Sequence, residues 1–241
     1  ERSFMNILVI GNGGREHAVL LALKKSKRVN KLYCMKGNAG TAQIAQNVDV
    51  DYMDIAAVKN FLLSHPDINY VVVTPDDPLA LGLVDELEKT GIRCFGPNKS
   101  AAIVEWSKAY SKELMSKYGI PTAKARVFSD YNEALAYVRQ EGAPLVLKAD
   151  GLALGKGVLV CKTLKEAEEG LKDIMLNKTF GSAGNTVLVE ECLQGLKYNP
   201  GEEVSLLTFT DGKTVVPMVT SCDHKRAEDG DKGLNTGGMG T

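Results

Sequence analysis

Short apolar runs alternate with stretches in which apolar residues recur at helical spacing, from the start of the chain to about residue 191. Asn6-Ile-Leu-Val-Ile10, Lys31-Leu-Tyr-Cys-Met35, Tyr70-Val-Val-Val-Thr74 and Arg93-Cys-Phe95 are short and apolar, and predict strands. Between them lie three predicted helices. One runs from Arg15 to about Ser26, and one follows an Asp54 cap with Ile55, Val58 and Leu62 on one face. The third runs from about Leu79 to Lys89. Strands of this kind alternating with helices predict a parallel sheet covered on both faces. Right-handed crossovers then set the loops after the strands along one edge, where such sheets bind ligands.

A long helix is expected from about Lys99 to Tyr118, stopped by Gly119-Ile-Pro121. Beyond it, Lys124-Ala-Arg-Val-Phe128 predicts a strand, and Asp130 with Glu133 opens a helix to about Gln140. Leu145-Val-Leu147 and Val158-Leu-Val160 are strands on either side of a glycine-rich loop. Thr163-Leu-Lys-Glu166 is a capping box for a helix with Ala167, Leu171 and Ile174 on one face, and Thr186 to Glu191 is a further strand. The order β-α-β-loop-β-α-β predicts a small α+β module acting as a lid. Glu203 to Thr210 alternates as a half-buried strand, and Asp211-Gly212 signals a two-residue hairpin into Thr214–Val219. The polar, glycine-rich remainder reads, taken alone, as a disordered terminus.

Composition narrows the classes. Across 241 residues, 44% are hydrophobic and 24% charged, as in ordinary globular proteins. Lys+Arg 29 against Asp+Glu 30 leaves a formal charge of -1, without the basic stripe of a nucleic-acid binder. No apolar run is long enough to cross a bilayer, so neither nucleic acid nor membrane is an expected partner. The five cysteines, Cys34, Cys94, Cys161, Cys192 and Cys222, form no C-x-x-C pair and are expected as free thiols in the cytoplasm. Glu1-Arg-Ser-Phe4 lacks the apolar stretch of a signal peptide, and Met5 is the expected natural start.

Two loops carry candidate chemistry. Lys148-Ala-Asp-Gly-Leu-Ala-Leu-Gly-Lys-Gly157 places three glycines and two lysines between two strands, a composition suited to nucleotide phosphates or to a solvated hairpin tip. It is not a P-loop. Gly151 and Gly155 are one residue too close, and Gly157 stands where a hydroxyl is required. Gly11-Asn-Gly-Gly14 follows the first strand, but Glu16 occupies the third glycine position of a dinucleotide fingerprint. Lys36-Gly-Asn38 likewise stands where a ribose-binding acid belongs. Both departures argue against NAD, while a phosphate at the helix N-terminus stays open alongside a plain tight turn.

Ten motifs occur in one order: Gly11-Asn-Gly-Gly-Arg-Glu-His-Ala18, Gly37-Asn-Ala-Gly40, Phe95-Gly-Pro97, Ser107-Lys108, Lys148-Ala-Asp-Gly151, Gly155-Lys-Gly157, Glu190-Glu191, Asp223-His-Lys-Arg226, Gly230-Asp-Lys-Gly233 and Asn235-Thr-Gly-Gly-Met-Gly240. Together they resemble the phosphoribosylamine–glycine ligase family of ATP-grasp enzymes, from Met5 to the last residue.

The resemblance implies an α/β fold. A Rossmann-like pre-ATP-grasp domain is expected over residues 5–98 and a linking helix over 99–121. An ATP-grasp lid subdomain would span 122–193 and an incomplete ATP-grasp core 194–241. It implies ligation of glycine to 5-phosphoribosylamine at the expense of ATP, with Mg²⁺ whose Glu-x-Asn ligands are expected beyond residue 241. The chain is therefore expected to be partial, and to turn over poorly or not at all.

By the same resemblance, Lys108, Lys148, Gly151, Gly155, Lys156 and Gly157 hold or cover the ATP phosphates. Glu190, Glu191 and Leu193 meet adenine, and Glu202 or Glu203 meets the ribose. Gly13, Gly14, Arg15, Asn38 and Asp77 line the phosphoribosylamine side. Lys225, Arg226 and Asp231 are the catalytic set, and Asn235, Thr236 and Gly237 belong to the same substrate loop. The chain departs from the pattern at Thr74, Asp76, Trp106, Leu154, Leu234 and an insertion at Leu196–Pro200. Two rival readings remain: another ATP-grasp ligase, such as a biotin carboxylase-like carboxylate activator, and a non-catalytic phosphosugar binder.

Overall fold

The computed structural model describes residues 4–151, 157–193, 203–230, 232–236, 238 and 240–241. The chain divides into two compact units, residues 1–106 and 107–241. In the first unit, β1 (Met5–Gly11), β2 (Val29–Lys36), β3 (Gln46–Val48), β4 (Tyr70–Val73) and β5 (Arg93–Phe95) form one sheet in the order β3-β2-β1-β4-β5. Every pairing is parallel. The chain builds outward from β1 in one direction, then returns to add β4 on the other side. The ends of β1 and β4 therefore flank the point where the order reverses, the usual ligand crevice of an open parallel sheet.

Side-chain alternation assigns the faces. Leu8 and Ile10 of β1, with Tyr33, Met35, Val71 and Val73, pack beneath α2 (Ile55–Ser64), α3 (Asp76–Leu81), α4 (Leu83–Glu88) and α5 (Lys99–Trp106). Ile7 and Val9, with Leu32, Cys34 and Val72, pack on α1 (Gly14–Lys24) through Leu20. Asp54 caps α2 as predicted, its carboxylate accepting from Ala57 N–H at 3.0 Å.

Two predicted helices are broken. The expected 79–89 helix stops at Leu81 and restarts at Leu83, because Gly82 adopts φ 94°, a left-handed conformation that ends one helix and opens the next. The expected 99–118 helix is likewise two. Ser107 is extended (φ -116°, ψ 107°), and its hydroxyl accepts from Tyr110 N–H at 3.1 Å, so it caps α6 (Lys108–Lys117) instead of continuing α5. The division between the two compact units falls at this break.

In the second unit, β6 (Ala125–Phe128), β7 (Leu145–Ala149), β8 (Val158–Cys161) and β9 (Val187–Glu191) form an antiparallel sheet in the order β6-β9-β7-β8. Leu145, Leu147, Ala149, Val187 and Val189 face α7 (Tyr131–Glu141) and α8 (Leu164–Met175), which supply Ala134, Val138, Ala167, Leu171 and Ile174. The Thr163–Glu166 capping box forms, with both reciprocal bonds. By alternation, Val146, Lys148, Leu188 and Glu190 point to the opposite face.

Beyond residue 202 the strands are shorter than expected and exposed. β10 (Thr208–Thr210) and β11 (Val215–Pro217) pair through a four-residue loop rather than two. Asp211 closes that loop, its carboxylate accepting from Lys213 and Thr214 N–H, and these bonds hold it below the usual aspartate range. The region expected to be disordered contains a second hairpin, β12 (Arg226–Glu228) with β13 (Lys232–Asn235). Replacing Gly82 by Ala should lower stability by about 1–3 kcal/mol, because a Cβ is strained at that φ. Urea unfolding would show it, and an unchanged midpoint would mean the helix break does not need glycine.

Candidate functional site

In the first unit the site is built around a buried carboxylate. Glu16 is 3% exposed and stands on the first turn of α1. Its Oε2 accepts from Gly13 N–H at 2.6 Å, and its Oε1 accepts from Arg15 Nε at 2.9 Å and from the Thr74 hydroxyl. Thr74 also donates to the Ile10 carbonyl at 2.7 Å. One side chain thus ties the loop after β1 to the end of β4. Gly11 has φ 127°, and a Cβ there would lie 2.6 Å from the Glu16 side chain. Glu16 therefore fills the space that a third fingerprint glycine would leave open, and Thr74 is its hydrogen-bond partner. The two departures noted in the sequence are one feature.

Asn38 braces the same crevice from the loop after β2. Its amide donates to the Asn12 carbonyl at 2.9 Å, and its Oδ1 accepts from Gly40 and Thr41 N–H. Gly13 is the N-cap of α1, with its N–H taken by Glu16, and Gly14 and Arg15 open the helix, while Asp77 is exposed in the first turn of α3. Burial pushes the Glu16 carboxyl up, but the bonds from Thr74, Arg15 and Gly13 outweigh it, so the net shift is downward.

In the second unit, Lys148 lies on the sheet face turned away from α7 and α8, paired with Glu190 of β9. Glu190 is 4% exposed and pairs with the ammonium groups of both Lys148 and Lys112. Lys108, the first residue of α6, donates to the Gly151 carbonyl at 2.9 Å. Asp150 fixes that approach, because its carboxylate accepts from Ala109 N–H at 3.1 Å and from the Ser107 hydroxyl. The start of α6 is thereby tied to the mouth of the glycine loop. Gly157 is buried, its carbonyl accepting from Ala149 N–H at 2.8 Å, while Glu191 and Leu193 are exposed where β9 ends.

The third cluster lies beyond residue 202. Lys225 is ion-paired with Glu203, and Arg226 Nη1 donates to the Gly233 carbonyl at 2.8 Å. Thr236 bonds the Lys225 carbonyl through both its N–H and its hydroxyl, and Asn235 is in register with Arg226. Gly155, Lys156, Glu202, Asp231 and Gly237 lie outside the described residues, as do Leu154 and Leu196–Pro200. Sequence reasoning missed Glu16, Thr74, Asp150 and Lys112 as site residues. Lys112 follows Lys108 by one helical turn, and that spacing was its only signal.

None of the thiols is bonded to another. Burial, with a smaller push from Glu88, raises the Cys94 thiol to about 12. The Cys161 thiol is raised to about 11, mainly by burial and secondarily by Glu166. Neither is a nucleophile near neutral pH.

A parallel sheet with its crevice at the order reversal, followed by an antiparallel sheet that carries Lys148 into a glycine loop reached by Lys108 of α6, is the plan of an ATP-grasp protein. An ADP complex of N5-carboxyaminoimidazole synthetase from Staphylococcus aureus has the same fold, with TM-score 0.66 at 17% identity over 92% of this chain and 55% of that one. The family models match closely: the N domain of phosphoribosylglycinamide synthetase over residues 5–105, and its ATP-grasp (A) domain over residues 106–241. The chain belongs to the phosphoribosylglycinamide synthetase family.

It is 49% identical over 238 residues to phosphoribosylamine–glycine ligase from Yersinia pestis, a match covering 98% of this chain and 54% of the relative. The crystal structure of phosphoribosylamine–glycine ligase from Thermotoga maritima superposes with TM-score 0.80 at 31% identity, covering 98% of this chain and 54% of that one. The chain thus spans about half the length of the relatives it matches.

Two substitutions test the tethers. Because the folded value of Glu16 is lowered, its contribution is fully present above the usual glutamate value of 4.5 and is lost as pH falls through the folded value. The stability gap between the wild-type chain and Glu16→Gln should therefore be widest near neutral pH and narrow below 4.5, as read by urea unfolding at stepped pH. A pH-independent gap would show that the charge on Glu16 is immaterial. Asp150→Ala should cost about 1 kcal/mol, the typical worth of a helix cap. Proteolytic cutting within residues 151–157 should rise in parallel, and an unchanged cutting rate would remove Asp150 from control of the loop.

Proposed function

We propose that this chain carries the amine-substrate and nucleotide sites of a phosphoribosylamine–glycine ligase. ATP phosphorylates the glycine carboxylate, the amine of 5-phosphoribosylamine attacks the resulting glycyl phosphate, and phosphate leaves. The products are glycinamide ribonucleotide, ADP and phosphate. The observation that carries this reading is the convergence at the glycine loop. Lys108 reaches Gly151, 43 residues further on, and Lys148 stands three residues before it, on the sheet face turned away from α7 and α8.

Phosphoryl transfer asks chiefly for positioning and neutralisation of phosphate charge, which two lysines and loop N–H groups supply. A hairpin over residues 151–157, at the tip of a lid formed by residues 122–193, would exclude water from an acyl phosphate that hydrolyses readily. Glu191 and Leu193, at the exposed end of β9, would offer backbone to adenine, and Glu202 or Glu203 would take the ribose, Glu203 once Lys225 turns from it to a phosphate. In the first unit, the α1 N-terminus with Gly13, Gly14 and Arg15 receives the sugar phosphate, while Asn38 holds the loop and Asp77 faces the amine. Lys225, Arg226, Asn235 and Thr236 lie on the hairpin assigned to the transferred phosphate.

Mg²⁺ would accompany the triphosphate. Among the described residues no group of three or more His, Cys, Asp or Glu side chains could hold a metal ion, and no step here runs through one. No helix among the described residues is long and apolar enough to cross a membrane, and five free thiols suit a reducing cytoplasm.

Separate calorimetric titrations with ATP and with ribose 5-phosphate test the assignment. Both should bind, and Lys148→Met should weaken ATP by about tenfold while sparing ribose 5-phosphate. A chain that takes up ribose 5-phosphate and ignores ATP would instead be a phosphosugar-binding protein.

A further inference from the structure

Glu190 is shared unequally. Its Oε1 pairs with Lys112 and its Oε2 with Lys148, one ammonium to each oxygen. Lys112 is committed on every side, since the same ammonium donates to the Thr122 hydroxyl at 2.7 Å and to the Ala123 carbonyl at 2.8 Å. Three N–H bonds meet three acceptors, and the side chain is 14% exposed. Lys148 is 29% exposed, and Glu190 is its one partner among the described residues. Two ammonium groups therefore surround one buried carboxylate, and the surplus positive charge belongs to the lysine that is free to move.

We propose that Lys112 is a positioning residue for Lys148: it keeps Glu190 permanently paired, so that Lys148 can leave that carboxylate for the phosphates of a nucleotide. The inference rests on the nucleotide-site reading above. Without Lys112, moving Lys148 away would strand a buried carboxylate, which is strongly unfavourable, so Glu190 would hold Lys148 back. With Lys112 in place, the transfer leaves a neutral pair behind, with Lys112 still on Oε1 and only Oε2 released. The competing possibility is that Lys112 only bolts α6 to residues 122–123, in which case its loss would affect every ligand alike.

The test compares the wild-type 241-residue chain with Lys112→Met, Lys112→Arg, Glu190→Gln and the Lys112→Met/Glu190→Gln double variant. Calorimetry would use ATP, inorganic tripolyphosphate and adenosine, and mass spectrometry would follow acylation of Lys148 by a soluble ester. Lys112→Met should weaken ATP and tripolyphosphate by about tenfold, leave adenosine unchanged and slow acylation of Lys148. Lys112→Arg should restore affinity. Glu190→Gln should speed acylation of Lys148, and when added to Lys112→Met it should recover the affinity lost by that variant, since no carboxylate remains to be stranded.

Equal loss of ATP and adenosine, or no recovery in the double variant, would overturn the inference and leave Lys112 a structural bolt. If Lys112→Met does not fold, Glu190→Gln alone decides, because acylation of Lys148 that is not faster there would mean that the carboxylate does not restrain it. A wild-type chain that binds neither ATP nor tripolyphosphate would fail the nucleotide reading and this inference together. Phosphate-dependent binding that Lys112→Met does not alter would remove the inference alone.

Discussion

A carboxylate withdrawn from water must be met by donors or cations, and this constraint organises both units. Among the described residues, the buried polar side chains are Glu16, Thr41, Ser107 and Glu190. Each stands at a proposed site. Glu16 joins the loop after β1 to the end of β4, and Thr41 anchors the Asn38 loop through bonds at 2.7 and 3.0 Å. Ser107 starts α6, and Glu190 gathers two lysines on one sheet face. Unpaired, any of these groups would cost more than an average surface contact contributes. The loops are therefore held in place by polar bonds at the same positions where chemistry needs them.

The two units solve one problem with different sheets. The parallel sheet offers backbone N–H groups at a helix start, which suits a fixed anion such as a sugar phosphate. The antiparallel sheet instead offers charged side chains, Lys148 and Glu190, on the face turned away from α7 and α8. Lys108 of α6 is held by the Gly151 carbonyl and Lys148 by the Glu190 carboxylate, so neither ammonium is a bare charge.

Much of the fold was legible in the sequence because period-2 and period-3.6 patterns survive wherever a face is buried. Four of the five strands of the first unit were placed to within a residue or two, the short edge strand β3 being missed, and the Thr163–Glu166 cap was readable from spacing alone. The breaks at Gly82 and Ser107 were not. One glycine or serine costs a helix little, so the periodic signal ran through both, and only tertiary packing selected the interruption. The hairpin beyond residue 202 was misread as half-buried because alternation reports a preference for burial, not the presence of something to bury against.

The site divided the same way. Glycines and lysines of the two loops announced themselves by composition, whereas Thr74 and Glu16 looked like blemishes in known patterns. They are 58 residues apart in sequence and touch only in the fold. Asp150 was hidden inside a motif valued for its neighbours.

Trp106 is the one tryptophan of the chain, and its indole N–H is buried with no acceptor within hydrogen-bonding distance. It closes α5, one residue before the division between the two units and two before Lys108. An indole in that condition emits towards the blue, and it shifts to the red when its N–H finds water or an acceptor. The protein therefore carries a built-in fluorophore at the end of α5, and the colour of its intrinsic emission follows the surroundings of that indole without any attached dye.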